Sequence, residues 1–152
     1  MEGDSVSNYN TVLATTDFSD AANAGVLAAA DLAEALGAGL KLIYVAEDRM
    51  PPLGMSTEQQ RQEIRQRHGE IARKSLDALA EKLLGDTPVE AILRTGNPAA
   101  EIVACAQEVG ADFIVMATRG FGSVGQMLFG STTQKVLHNA QCPVISVRST
   151  SD

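Results

Sequence analysis

Phe113-Ile114-Val115-Met116, then Thr118-Arg119-Gly120-Phe121-Gly122-Ser123 with Gly125 and Gly130-Ser131-Thr132-Thr133, then Gln134-Lys135-Val136-Leu137: this stretch decides the fold. The apolar run reads as a buried strand and the last segment as a helix. Glycines between the two let backbone N–H groups approach a bound group closely, and a helix N-terminus favours negative charge. Glycine-rich turns also serve as plain connectors. Here the run is long, ends on three successive hydroxyl residues and sits where an α/β fold places its ligands. Phosphate or nucleotide binding is therefore the favoured reading.

Outward from this loop the chain alternates. Thr11 to Thr16 reads as a first strand. Asp17-Phe18-Ser19-Asp20 opens an alanine-rich helix that runs to about Leu36, with Gly37 as its stop. Leu40 to Ala46 is a second strand, apolar in the manner of strands buried on both faces. Glu47 to Met55 contains Pro51, Pro52 and Gly54 and reads as a loop. Ser56-x-x-Gln59 has the form of a capping box and starts a long helix. Its apolar stripe is Ile64, Ile71, Leu76, Leu79 and Leu83, and Gly85 marks its end. The first two turns carry almost no apolar residue and are expected to project past the sheet.

Val89 to Leu93 forms a third strand. Asn97 caps the next helix, with Pro98 at its first position and Gly110 past its end. Asp112 to Ala117 is the fourth strand, a helix follows the glycine loop to about Asn139, and Pro143 to Val147 is the fifth strand. Such alternation predicts an α/β fold: an open five-stranded parallel sheet, order 3-2-1-4-5, with helices on both faces. Its ligand site should lie past the carboxyl ends of the strands, where the strand order reverses between strands one and four. Strand one ends at Asp17 and strand four at the glycine loop, so two readings converge on one crevice.

Composition narrows the function. The chain has 152 residues, 45% of them hydrophobic, which fits one domain with a substantial core over 11–152 and a polar, flexible tail over 1–10. Net charge is −7, and the basic residues of 61–74 are interleaved with acidic ones, so no nucleic acid or membrane partner is expected. No apolar run approaches the roughly 20 residues of a membrane span, and cytoplasm is the expected compartment. Cys105 and Cys142 lack C-x-x-C or His spacing and read as structural thiols. His68 and His138 have no evident catalytic partner.

The loop spacing is also a signature. Gly120, nine residues and then Gly130-Ser131 match G-x-x-G-x9-G-[ST], with Ala117 at the first glycine. Together with Thr16-Asp17-Phe18-Ser19, Tyr44-Val45, Gly96-x-Pro98 and Cys142-Pro143-Val144-Ile145, this makes the chain resemble the universal stress protein family over nearly its whole length. The resemblance implies a Rossmann-like, adenine nucleotide alpha hydrolase-like fold. In the ATP-binding branch it further implies an Asp after strand one beside the nucleotide, a strand-two backbone at adenine, and a glycine loop on the phosphates. Carried across, the ligand-binding positions are Thr16, Asp17, Val45, Gly120, Gly130, Ser131 and Thr132, with Met116, Ala117, Thr118 and Arg119 lining the approach; Thr133 is a weaker candidate.

The expected ligand is ATP or a related adenine nucleotide with Mg2+ or Mn2+. Asp17 is read as a partner for ribose or a divalent ion, or as a helix cap shared with Ser19. Ser131 and Thr132 are read as hydroxyl ligands of phosphate oxygens or Mg2+, or as a helix cap; phosphate is favoured because the cap and the anion site are the same place. The methyl of Ala117 matters if that position has positive φ or touches the ligand, and little if it ends the strand in ordinary geometry. No lysine follows the loop as in G-x-x-x-x-G-K-[ST], and no nucleophile–base pair is visible, so no catalytic residue is assigned. The fifth strand is an apolar sheet edge, and both that exposure and the resemblance predict a homodimer through Pro143 to Val147. The expected role is a regulatory, stress-response dimer. The rivals are a slow ATPase in the same crevice and a dimeric interaction module that binds no nucleotide.

Overall fold

The computed structural model describes residues 8–118 and 130–149. The elements alternate as β1 (Thr11–Thr16), α1 (Asp20–Leu36), β2 (Gly39–Ala46), α2 (Glu58–Leu84), β3 (Glu90–Thr95), α3 (Pro98–Val109), β4 (Phe113–Thr118), α4 (Ser131–Asn139) and β5 (Val144–Arg148). The strands form one parallel sheet in the order β3-β2-β1-β4-β5, as the alternation predicts. Thr11 pairs with Gly39 and Thr16 with Tyr44, while Val12 to Ala14 pair with Phe113 to Val115. The chain moves outward from β1 through β2 to β3, then returns to the other side of β1 with β4. That reversal opens a gap at the strand ends.

Alternating side chains build a core on each face of the sheet. On one face Val12, Ala14, Leu40, Leu42 and Val115 meet Val26, Ala29 and Ala33 of α1 and Leu76, Ala80 and Leu84 of α2. On the other, Leu13, Ile43, Val45, Ile114 and Met116 meet Ala99, Ile102 and Cys105 of α3 and Val136 of α4. Leu13, Leu42, Ile43, Leu76 and Ile114 are almost wholly excluded from solvent. Each such side chain contributes about 1.5–3 kcal/mol relative to an exposed one.

Helix boundaries follow local chemistry. Ser19, Thr57 and Asn97 each accept a hydrogen bond from a first-turn N–H, at 3.2, 3.1 and 3.0 Å. Gly37 ends α1 at φ 64°, a left-handed geometry that glycine adopts without penalty. Two expectations for α2 shift. Its capping box is Thr57 with Gln60, one residue later than the Ser56–Gln59 pair. Its buried face is Ala72, Leu76, Ala80 and Leu84, whereas Ile71 is 58% exposed. The turns before Ala72 bury no residue. At the amino end, Tyr9 packs edge-on against Phe113 at 4.8 Å, and the Asn10 N–H donates to Asp112.

Candidate functional site

The carboxyl ends of β1, β2 and β4 open into a crevice of about 980 Å³. That volume lies at the upper end of the range typical of small-molecule sites. Thr16, Asp17, Val45, Met116, Ala117 and Thr118 line it from the sheet, and Gly130, Ser131 and Thr132 line it from the start of α4. Thr133 lies there too, with little exposure. Arg119 and Gly120, with the rest of the glycine loop up to residue 129, lie outside the described residues. The structure thus brings together ten of the sequence-derived positions in one cavity, the weaker candidate Thr133 among them.

At the β1 end, the backbone is held by its own side chains. The Phe18 N–H donates to Thr16 Oγ1 at 3.0 Å, and the Ser19 N–H donates to Asp17 Oδ1 at 2.9 Å. Phe18 itself has φ 69°, the left-handed conformation that a side chain with Cβ adopts at a cost of roughly 1–2 kcal/mol. Its ring packs on Tyr44 of β2 with centroids 4.2 Å apart, which offsets part of that strain. The cap of α1 is Ser19, not Asp17. Asp17 instead orients Ser19 through its backbone N–H and hydroxyl and presents an exposed carboxylate to the crevice.

At the β4 end, Ala117 sits within the strand, paired with Val147, without positive φ. Its methyl lies on the α1 side of the sheet. A Cβ built on Gly25 of α1 would stand 3.3 Å from the Ala117 Cβ and 2.9 Å from the Ala117 N. The space for the Ala117 methyl is therefore supplied by Gly25. Met116 faces the opposite side, in the core beside α3 and α4.

The start of α4 differs from the other helix starts. Gly130 occupies its cap position and supplies no side-chain hydrogen bond. The first helical bond runs from the Gln134 N–H to the Gly130 carbonyl at 3.1 Å, so the N–H groups of residues 131–133 precede it. First-turn donors and the helix dipole attract negative charge. Two exposed or half-exposed hydroxyls, Ser131 and Thr132, flank them.

Sequence reasoning missed part of this cavity. Phe18, Tyr44, Glu47 and Arg49 line it from the strand ends, and His68, Ile71, Ala72 and Ser75 line it from α2. The α2 residues fall at i, i+3, i+4 and i+7, a single helix face that the spacing could have revealed. Arg49 pairs with Glu47 at 2.6 Å, and its side chain remains 84% exposed. Among the described residues no three His, Cys, Asp or Glu side chains cluster as a metal site. Both cysteines are unpaired, and burial pushes each thiol above the ordinary range. Among the described residues no helix is long and apolar enough to cross a membrane.

An open parallel sheet with a crevice at its switch point defines a doubly wound α/β protein. Comparison with known proteins narrows the class. The pattern of the universal stress protein family matches residues 8–148, and the chain belongs to that family. It is 39% identical over 140 residues to a universal stress protein of Thermus aquaticus, covering 92% of this chain and 99% of the relative. The solved structure of MJ0577 of Methanocaldococcus jannaschii superposes with a TM-score of 0.76 at 25% identity, covering 95% of this chain and 99% of that one. A universal stress protein crystallised in complex with cAMP superposes with a TM-score of 0.66, also at 25% identity, over 95% of this chain and 100% of its own.

Proposed function

We propose that this protein binds ATP or a related adenine nucleotide in the crevice and acts as a regulatory, stress-response homodimer. The observation that carries the reading is the start of α4, where N–H donors without a side-chain cap and two hydroxyls open into the cavity. A polyphosphate supplies the missing negative charge there. The cAMP complex of a structural neighbour supports an adenine nucleotide as the ligand class.

The residues fit distinct parts of such a ligand. Ser131 and Thr132, with the first-turn N–H groups, hold phosphate oxygens. The Val45 backbone faces the base, with Met116, Ala117 and Thr118 shaping the approach. The Asp17 carboxylate, placed by the turn from Thr16, accepts a ribose hydroxyl or joins a divalent ion. Mg2+ or Mn2+ would arrive with the phosphates, since such ions commonly keep few protein ligands and Asp17 is an acidic group in the crevice lining. Methyl placement on the α1 side leaves Ala117 compatible with binding. A cytoplasmic setting suits two unpaired thiols.

Dimerisation through β5 is favoured by the contrast between the sheet edges. On β3 the Arg73 guanidinium reaches from α2 to the Ala91 carbonyl at 2.7 Å, and Lys41 pairs with Glu90. Charged side chains of this kind protect an edge from a second chain. On β5, Val144, Ile145 and Val147 are half-buried apolar residues along the opposite edge.

Chromatography of nucleotide released from the purified protein, with calorimetric titration by Mg-ATP and by cAMP, tests the reading. Saturable binding that Thr132→Ala weakens about tenfold is expected, the loss of one hydrogen bond to a charged group. A protein that releases no nucleotide and gives no heat with either ligand would be an interaction module instead.

A further inference from the structure

Residues of α2 occupy the crevice without any role assigned above. The long helix packs on β2 and β3, with Leu76, Ala80 and Leu84 against Leu40 and Leu42. One turn earlier, the same helix reaches the end of β2, and His68, Ile71, Ala72 and Ser75 line the cavity there. In the sheet one strand, β1, separates this end from β4, and the anion-attracting helix start of α4 lines the far part of the same cavity. Ile71 is 58% exposed although Ala72 beside it is buried. A large aliphatic side chain facing an open cavity is an unfilled contact. His68 and Ser75 are also exposed, and each side chain can donate and accept hydrogen bonds.

We propose that α2 forms the base-recognising wall of the site: Ile71 covers a face of the purine, and His68 and Ser75 read its edge. The inference rests on the nucleotide reading above and assigns the choice of base to side chains, where the Val45 backbone alone would discriminate weakly. Hydrophobic cover gives affinity, and paired polar groups give discrimination, because a wrong base leaves them unpaired. The wall acts on the base and not on the phosphates.

Calorimetry with ATP, GTP, adenosine and inorganic tripolyphosphate tests this on the full chain. Ile71→Ala should weaken ATP and adenosine by the same factor, about tenfold, and leave tripolyphosphate unchanged. Ile71→Leu should retain ATP affinity, and His68→Ala should narrow the preference between ATP and GTP. High exposure of Ile71 and His68 keeps the variants folded, which circular dichroism checks. ATP affinity that neither Ile71→Ala nor His68→Ala alters overturns the wall and leaves the nucleotide reading standing. Equal losses for ATP and tripolyphosphate overturn it as well. A wild-type protein without affinity for ATP overturns both.

Discussion

Gly25 and Ala117 are a matched pair. One lies on α1 and the other on β4, and the contact between them leaves no room for a second methyl: the missing Cβ would sit 2.9 Å from a backbone nitrogen. Gly25→Ala therefore gains helix propensity, about 1 kcal/mol, against an overpacking penalty of about 1–3 kcal/mol. The expected net effect is a loss of stability of about 1 kcal/mol or more, read as a lower denaturant midpoint. Ala117→Gly should change nucleotide affinity by less than about threefold, because its methyl points at α1 and the energy involved is under 1 kcal/mol. Affinity that emerges only in Ala117→Gly would mean the methyl obstructs the ligand. In the sequence, Ala117 is visible only as a departure from a loop signature. Its partner lies 92 residues earlier on a helix, and packing across that separation leaves no local trace. Asp17 shows the same limit. Its place at the crevice is legible from the strand end, but an Asp two residues before a Ser offers two capping candidates, and only the backbone turn at Phe18 decides for Ser19.

At the scale of elements, the starts of helices are the most legible features, because a cap is a bond between near neighbours. Asn97 with Pro98, and the stop at Gly110, stand where they are expected. In Ser56-Thr57-Glu58-Gln59-Gln60, two capping boxes overlap in adjacent frames, so local chemistry alone leaves a one-residue ambiguity. Tertiary contacts choose: Arg61 reaches back to the Pro51 carbonyl at 2.7 Å and fixes the entry of the chain. The stripe of α2 is harder to read, since alanines at 72 and 80 bury as fully as leucine while contributing little hydrophobic signal. The large residue beside them, Ile71, turns to the cavity.

The capless start of α4 yields an element-level test. Gly130 has φ −65°, and among the described residues nothing lies within 4 Å of where a Cβ would stand, so Asp meets no clash with them. Gly130→Asp installs a carboxylate cap, which should stabilise the ligand-free protein by a few tenths of a kcal/mol. The same carboxylate repels phosphate and should weaken Mg-ATP by at least about tenfold, a change of about 1.4 kcal/mol. Stability and affinity thus move in opposite directions, measured by thermal unfolding and calorimetry on one variant. Affinity that survives Gly130→Asp would place the phosphates elsewhere.

For the whole molecule, topology is legible because period and order leave few alternatives. Largely apolar strands alternating with helices favour a parallel sheet covered on both faces, and crossover handedness then limits the arrangements. The order β3-β2-β1-β4-β5 places β1 and β4 side by side and makes the crevice a consequence of connectivity. The α2 face of that crevice escaped the sequence reading because its residues carry no loop signature and lie on an element read mainly for its core stripe. Association is tested at this scale too. Ser146 is exposed on the β5 edge, so Ser146→Glu leaves the fold intact, yet sets like charges together across a two-fold axis. Light scattering should show a wild-type dimer and at least a tenfold weaker association of the variant, about 1.4 kcal/mol. A wild-type protein that is monomeric at high concentration removes the dimer from the proposal.

The first turn of α4 also bears on how long the molecule survives. A helix whose start is finished by something outside the chain makes that ligand part of the folded state, and binding becomes stability by mass action. On the proposed reading, nucleotide present at a hundred times its dissociation constant would add about 2.7 kcal/mol to the free energy of unfolding. Resistance to heat and to proteolysis would then rise and fall with the nucleotide pool, so that the abundance of the protein itself records how well supplied its surroundings are.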